Sequence, residues 1–236
     1  MRLAVIPARG GSKRIPRKNI KLFCGKPMIA WSIEAALQSG CFDHIVVSTD
    51  DAEIAEVARQ YGAQIPFMRP AELSDDHTGT TAVITHAINW FAAQDQTPAQ
   101  VCCLYATAPF VSADDLRRGL AVLVETGCDY AFSITSYAFP IQRAICLNET
   151  GRVEMFTAEH FNTRSQDLEE AYHDAGQFYW GRADAWTQGR MIFSPAAAPV
   201  MLPRHRVQDI DTPEDWTRAE WMFKALQAQG NSAAQA

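Results

Sequence analysis

The segment Ile6-Pro-Ala-Arg-Gly-Gly-Ser-Lys-Arg-Ile-Pro-Arg-Lys-Asn19 decides how this chain folds. The run before it, Leu3 to Ile6, is short and wholly apolar, which predicts a buried strand. The segment itself holds two glycines and two prolines, so it is a shaped loop and not a continued strand or helix. Six cations lie within it or just after it: Arg9, Lys13, Arg14, Arg17, Lys18 and Lys21. The whole chain carries a formal net charge of -6, so this loop is a local reversal of sign. Two readings are open, a solvated basic loop or a cradle for a polyphosphate. Glycines let backbone N–H groups approach phosphate oxygens, and Arg and Lys add charge-assisted hydrogen bonds. The strand–Gly-Gly–Lys order favours the cradle. Neither Gly-x-x-x-x-Gly-Lys-Ser/Thr nor Gly-x-Gly-x-x-Gly is present, which excludes the two commonest nucleotide loops.

Outward from the loop, strand and helix patterns alternate. Pro27 to Ser39 has helical spacing and stops at Gly40; Ile45 to Thr49 reads as a second buried strand. Asp50, with Glu53 three residues on, reads as the capping box of a helix that ends at Gly62. Thr80 to Phe91 is helical, Val101 to Tyr105 a central strand, and Tyr130 to Ser136 another. Ser112 with Asp115 opens the helix between those two strands. This rhythm predicts an α/β fold with a doubly wound, mostly parallel sheet. After Pro140 the pattern changes to a hairpin and then to polar, irregular chain. An insertion over about residues 140–172 reads as a lid or oligomer arm on one domain spanning residues 1–226. Gln177 to Trp180 is a further strand, Thr212 caps the last helix, and residues 227–236 read as a frayed tail.

Composition narrows the classes of function. The chain has 236 residues, is 47% hydrophobic, and has no run of the ~18 apolar residues that a membrane span needs. Its acidity argues against a nucleic-acid partner. The N-terminus has no signal-peptide pattern, and the six cysteines show no disulfide or zinc spacing, so free thiols in a cytoplasmic protein are expected.

In open parallel sheets ligands bind outside the carboxyl ends of the strands. Residues 7–21, Asp50-Asp51, Tyr105-Pro109 and Asp209-Ile-Asp211 all follow strands and converge on that edge. Asp209 and Asp211, at i and i+2 in extended chain, face one side. They read either as support for the last helix or, with phosphate oxygens, as ligands for Mg²⁺. Cations beside an acid pair suit nucleotidyl transfer, in which the leaving diphosphate must be neutralised. His173 and Asp174, before the Gln177 strand, read as structural or as part of a sugar pocket. Arg164 and Gln166 in the insertion are candidate carboxylate or hydroxyl binders. His77 and Thr78 to Thr81 stand at a loop-to-helix junction where backbone amides are free.

Six anchors, in order, resemble the sugar-acid cytidylyltransferases, which make CMP-sialic acids. They are Ile6 to Lys13, Lys18-Asn19, Gly25-Lys-Pro-Met28, Val47-Ser-Thr-Asp50, Arg69-Pro-Ala-Glu-Leu-Ser-Asp75 and Asp209-Ile-Asp-Thr-Pro-Glu214. The resemblance implies that Arg9, Lys18 and Asn19 contact CTP, with Ala8, Gly10, Gly11, Ser12 and Lys13 in the same cradle. It implies that Asp209 and Asp211 hold Mg²⁺, that Arg9, Lys18 and Asp211 serve catalysis, and that the insertion makes a homodimer and completes the partner's sugar site. Two stretches depart from the N-acetylneuraminate type: Leu104-Tyr-Ala-Thr-Ala-Pro109 and His173-Asp-Ala-Gly-Gln177. Both resemble the pseudaminic acid branch. Tyr105 stands where a Gln would meet nucleotide or sugar, and Arg164, Gln166, His173, Asp174 and Gln177 are the implied sugar-side residues. The expected reaction is CTP plus a nonulosonic acid, pseudaminic acid first and N-acetylneuraminate or a legionaminate next, giving the CMP-sugar and diphosphate. A binding module that kept the fold without turnover is the reading from another class.

Overall fold

The computed structural model describes residues 1–75 and 78–233; His77 lies outside the described residues. In chain order the chain forms β1 (Arg2–Pro7), the short ribbon β2 (Leu22–Phe23) and β3 (Lys26–Pro27), α1 (Met28–Ser39), β4 (His44–Ser48), α2 (Ala52–Gln60), α3 (Thr80–Ala92) and β5 (Gln100–Leu104). There follow α4 (Ala113–Thr126), β6 (Tyr130–Ser136), β7 (Ile145–Leu147), β8 (Val153–Met155), β9 (Tyr172–Arg182), α5 (Ala183–Thr187), β10 (Ala197–Met201) and α6 (Pro213–Ala233). The central sheet has the order β10-β6-β9-β5-β1-β4. β1 pairs in parallel with β4 and β5, and β10 pairs in parallel with β6. β9 runs antiparallel between β5 and β6. The α/β, mostly parallel sheet is therefore as expected, with one inverted strand at its centre.

Burial on both faces explains why the strands read as unbroken apolar runs. Ala4 and Ile6 of β1 and Val47 of β4 face α1, α2 and α4, where Ile33, Ile54 and Leu116 meet them. Leu3, Val5 and Val46 face the other way, against Ile84 and Phe91 of α3 and Trp186 of α5. A third cluster seats α6 on the β2–β3 ribbon. Phe23 lies edge-on to Trp216 and to Phe223, each at 5.4 Å between ring centroids. This cluster joins the loop after β1 to the segment before α6, the two stretches expected to carry the chemistry.

Three local expectations are corrected. The cap of α2 is Asp51, whose Oδ1 accepts from the N–H groups of Glu53 and Ile54 at 2.9 and 3.0 Å. Two adjacent aspartates both satisfy a cap pattern, and the backbone turns into the helix one residue later than the spacing suggests. β9 begins at Tyr172, so His173 and Asp174 lie inside the strand and not before it. α6 continues to Ala233, through part of the stretch read as a frayed tail. β7 and β8 form the expected hairpin, and its apolar side chains Leu147, Val153 and Phe156, with Phe161 beyond it, are exposed.

Candidate active site

The loop after β1 is built from both ends. Ala8 N–H donates to Ser48 O at 3.0 Å, which ties its start to the end of β4. Gly10 N–H donates to Asp50 Oδ1 at 3.1 Å, so the aspartate released from capping α2 holds the glycine turn. A Cβ on Gly10 would lie 2.6 Å from Asp51 Oδ2, which is why glycine is needed there. At the far end Asn19 Nδ2 donates to Arg9 O at 2.9 Å. Ser12 N–H closes a tight turn on Gly10 O at 3.0 Å.

The cations divide into two groups. Arg17, with φ of 56° in the left-handed region, forks onto Asp51 and reaches Glu53. Its guanidinium holds the Asp51 carboxyl below the usual carboxylate range. Lys21 lies over the Trp216 ring at 4.4 Å. These two anchor the loop to α2 and α6. Arg9, Lys13, Arg14 and Lys18 instead line a cavity of about 600 Å³, within the range of a small-molecule site. Ser12 and Asn19 line it as well.

Asp211 closes the cavity from the opposite side of the fold. Its Oδ2 accepts from Arg14 Nη2 at 2.7 Å, and its Oδ1 lies 3.3 Å from Lys18 Nζ. Lys18 also donates to Ile210 O at 2.7 Å, so one lysine clasps the segment that carries the acid pair. The Asp211 backbone N–H is held by Asp215 Oδ2 at 3.1 Å, inside the cap of α6. Asp209 does not line the cavity and is exposed as a residue. Partial desolvation, and then the charge of Asp211, hold its carboxyl above the usual range. Two carboxylates two residues apart, one lining the cavity and the other beside solvent, are a hard-oxygen donor set that a divalent cation fits.

The remaining wall comes from Tyr105, Ala106 and Thr107 beyond β5, and from Thr78, Thr80 and Val83 at the start of α3. Tyr105 is half-buried, and burial raises its hydroxyl pKa. Arg69 also lines the cavity, and no spacing argument singled it out. It is only 7% exposed. Its Nε donates to Ser48 Oγ at 3.1 Å and its Nη2 to Ser48 O. No ion pair to it occurs among the described residues. Burial lowers its pKa, and Asp50 opposes that effect. A buried guanidinium facing a cavity without a carboxylate partner carries an uncompensated desolvation cost, which an anionic ligand could offset. The signal available in sequence was its place in the Arg69 to Asp75 anchor.

The sugar-side candidates are not brought to this cavity within one chain. Arg164 pairs with Asp167 at 2.7 Å, and Gln166 lines a separate hollow of about 300 Å³ with Tyr137 and Phe139. His173 Nδ1 lies 2.8 Å from Asp174 O, with its ring against Tyr137. Both Asp174 carboxylate oxygens are engaged, Oδ1 by Gly176 N–H at 2.8 Å and Oδ2 by the Tyr179 hydroxyl. Gln177 is 3% exposed, and its Nε2 donates to Arg206 O at 2.6 Å. A bulge in β9 turns it inward: the register slips between Phe132 and Ile134 of β6, and Gly176 takes φ of 62°. Gln177 Nε2 thus holds another segment, while its buried Oε1 has no partner among the described residues, an arrangement that period-2 reading of a regular strand does not reveal.

A cation-walled cavity beyond the carboxyl ends of parallel strands defines the nucleotide-binding α/β class. The chain belongs to the cytidylyltransferase family, whose profile matches residues 3–202, and it is a nucleotidyltransferase. It is 50% identical to the pseudaminic acid cytidylyltransferase of Campylobacter jejuni subsp. jejuni serotype O:2, over 94% of this chain and 96% of that one. It is 34% identical to the CMP-N,N'-diacetyllegionaminic acid synthase of Legionella pneumophila subsp. pneumophila, over 95% and 97% of the two chains. Its fold is shared with CMP:2-keto-3-deoxy-manno-octonic acid synthetase complexed with CTP, at a TM-score of 0.68 and 19% identity, covering 97% of this chain and 99% of that one.

Proposed function

We propose that the chain activates pseudaminic acid: CTP plus pseudaminic acid gives CMP-pseudaminic acid and diphosphate. The observation that carries this reading is the single cavity in which Arg9, Lys13, Arg14 and Lys18 face Asp211. The sugar is chosen from the 50% identity that runs through 94% of the chain. The anomeric hydroxyl attacks the α-phosphorus of CTP. A new oxygen–phosphorus bond forms there as the bond from the α-phosphorus to the α,β-bridging oxygen breaks and releases diphosphate. Arg9, Lys13 and Lys18 neutralise the departing diphosphate, and Asp211 accepts the hydroxyl proton. Arg69 and Tyr105 orient the nucleotide from the opposite wall. Asp209 and Asp211 would hold Mg²⁺, which supplies positive charge to the phosphates when bound.

The 140–172 arm serves a homodimer. Its exposed Leu147, Val153 and Phe156 need a cover, and Arg164 and Gln166 would then reach the sugar acid in the partner's cavity. Sedimentation velocity at micromolar concentration is expected to give a dimer, and a monomer would overturn this part. A reaction that consumes CTP fits a cytoplasmic enzyme, and its product would feed surface or flagellar glycosylation.

The test of the main reading is diphosphate release from CTP and Mg²⁺ across a panel of sugar acids. Turnover with pseudaminic acid, and little with N-acetylneuraminate or N,N'-diacetyllegionaminate, is the expected result. Preference for either of the others keeps the chemistry and overturns the sugar.

A further inference from the structure

The segment from Leu202 to Asp211 carries the acid pair, yet beyond Leu202 it belongs to no strand. Leu202 N–H donates to Ile134 O at 2.8 Å, and the sheet holds it no further. What fixes the next stretch is Arg206. Its guanidinium donates to the Asp115 carboxylate, to Ser112 Oγ at 3.3 Å and to Phe110 O at 3.2 Å. Its backbone carbonyl accepts from Gln177 Nε2 at 2.6 Å. The residue is held at both ends, by the start of α4 through its side chain and by the β9 bulge through its backbone.

Asp115 is built to receive it. It is 2% exposed and accepts from the Ser112 hydroxyl and from Arg118, each at 2.6 Å. Burial works against its charge, but Ser112, Arg118 and Arg206 outweigh that and leave the carboxyl below the usual range. The bond to Phe110 O adds a second wall of the site. Phe110 ends the turn whose Ala106 and Thr107 line the nucleotide cavity. One guanidinium therefore ties the segment of Asp209 and Asp211 to the turn after β5.

We propose that Arg206, seated on Asp115 and held by Gln177, is a positioning residue that fixes the Asp209–Asp211 pair against the nucleotide cavity. The inference rests on the reading of that pair as the metal ligands. It recasts Gln177, which resemblance put on the sugar side, as part of the support behind the acids. Buried partners that orient ligating carboxylates set metal affinity at a distance. Arg206→Met leaves Asp115 paired with Arg118, so the buried carboxylate is not stranded.

Mn²⁺ binding to the full chain, with CTP present and no sugar acid, reads the effect without turnover. Electron paramagnetic resonance is expected to show Mn²⁺ held about tenfold more weakly by Arg206→Met, as loss of an outer-shell partner costs. Gln177→Met is expected to shift in the same direction by less. CTP affinity measured in EDTA is expected to stay within about twofold of wild type, because no nucleotide contact is removed. Unchanged Mn²⁺ affinity with a lowered melting temperature would assign Arg206 to stability alone and overturn the proposal. If Arg206→Met does not fold, Arg206→Lys decides: wild-type Mn²⁺ affinity in that variant overturns the proposal, and an intermediate loss supports it. Asp211→Asn is the control for the underlying reading. If it binds Mn²⁺ as wild type does, the metal reading and this inference both fall; if it loses Mn²⁺ while Arg206→Met does not, only this inference falls.

Discussion

Asp211→Asn is expected to lower the turnover number by about 10²–10³-fold, the usual cost of removing one preorganised electrostatic group from a transition state. The same substitution is expected to leave CTP binding in EDTA unchanged or slightly tighter. The sign follows from the two cations on the carboxylate. Arg14 sits 2.7 Å from Oδ2 and Lys18 3.3 Å from Oδ1. An amide of the same shape does not neutralise them, so both offer more charge to the triphosphate. What is lost is the proposed proton acceptor and one of the two proposed hard-oxygen donors, both of which the reaction would use more than binding does. Lys18 keeps its bond to Ile210 O, so the loop stays attached to the segment. Single-turnover kinetics beside calorimetry in EDTA separates the two quantities. Equal losses in both, or no loss in either, would remove Asp211 from the chemistry.

Arg69→Met is expected to have the opposite profile. CTP affinity should fall by about one to two orders of magnitude, since a hydrogen bond to a charged group is worth about 1.5–3 kcal/mol. The ligand-free protein should melt at or above the wild-type temperature. Burial already disfavours the Arg69 charge, and no ion pair among the described residues compensates it. Replacing a buried, unpaired cation by an apolar side chain of similar length relieves that cost. Ser48 O is not stranded, because Ala8 N–H still donates to it at 3.0 Å. Thermal melting with and without CTP tests both halves together. A variant that melts well below wild type and still gains the full shift from CTP would mean that Arg69 supports the fold and not the ligand.

The parallel core and the position of the site were legible because they depend on short-range patterns: apolar runs, caps, and a glycine loop directly after a strand. What was not legible depends on partners far away in sequence. Asp50 and Asp51 are equivalent cap candidates on paper. Only the fold shows that Asp51 takes the helix and Arg17, while Asp50 takes Gly10. Arg17 and Lys21 look like ligand cations until Asp51 and Trp216 are seen beside them. Arg69 looks like a loop residue until its neighbours bury it. Gln177 reads as an ordinary strand residue until the bulge at Gly176 is seen to turn its Nε2 toward Arg206. In each case the side chain's chemistry was readable and its partner was not.

The inverted strand at the middle of the sheet sets the order in which the protein is able to assemble. β5 and β6 are consecutive parallel strands in the main alternation, yet each pairs with β9 and not with the other. During synthesis β4, β1 and β5 are the first strands able to pair with one another. β6 waits, and β5 presents an unpaired apolar edge, until residues 172–182 have left the ribosome. Until that late pairing is made, the open central edge is a surface through which unfinished chains can join one another. A ribosome stalled within the arm therefore holds one three-stranded half-sheet, β4-β1-β5, beside an unpaired β6, and the open edges of both favour intermolecular strand pairing.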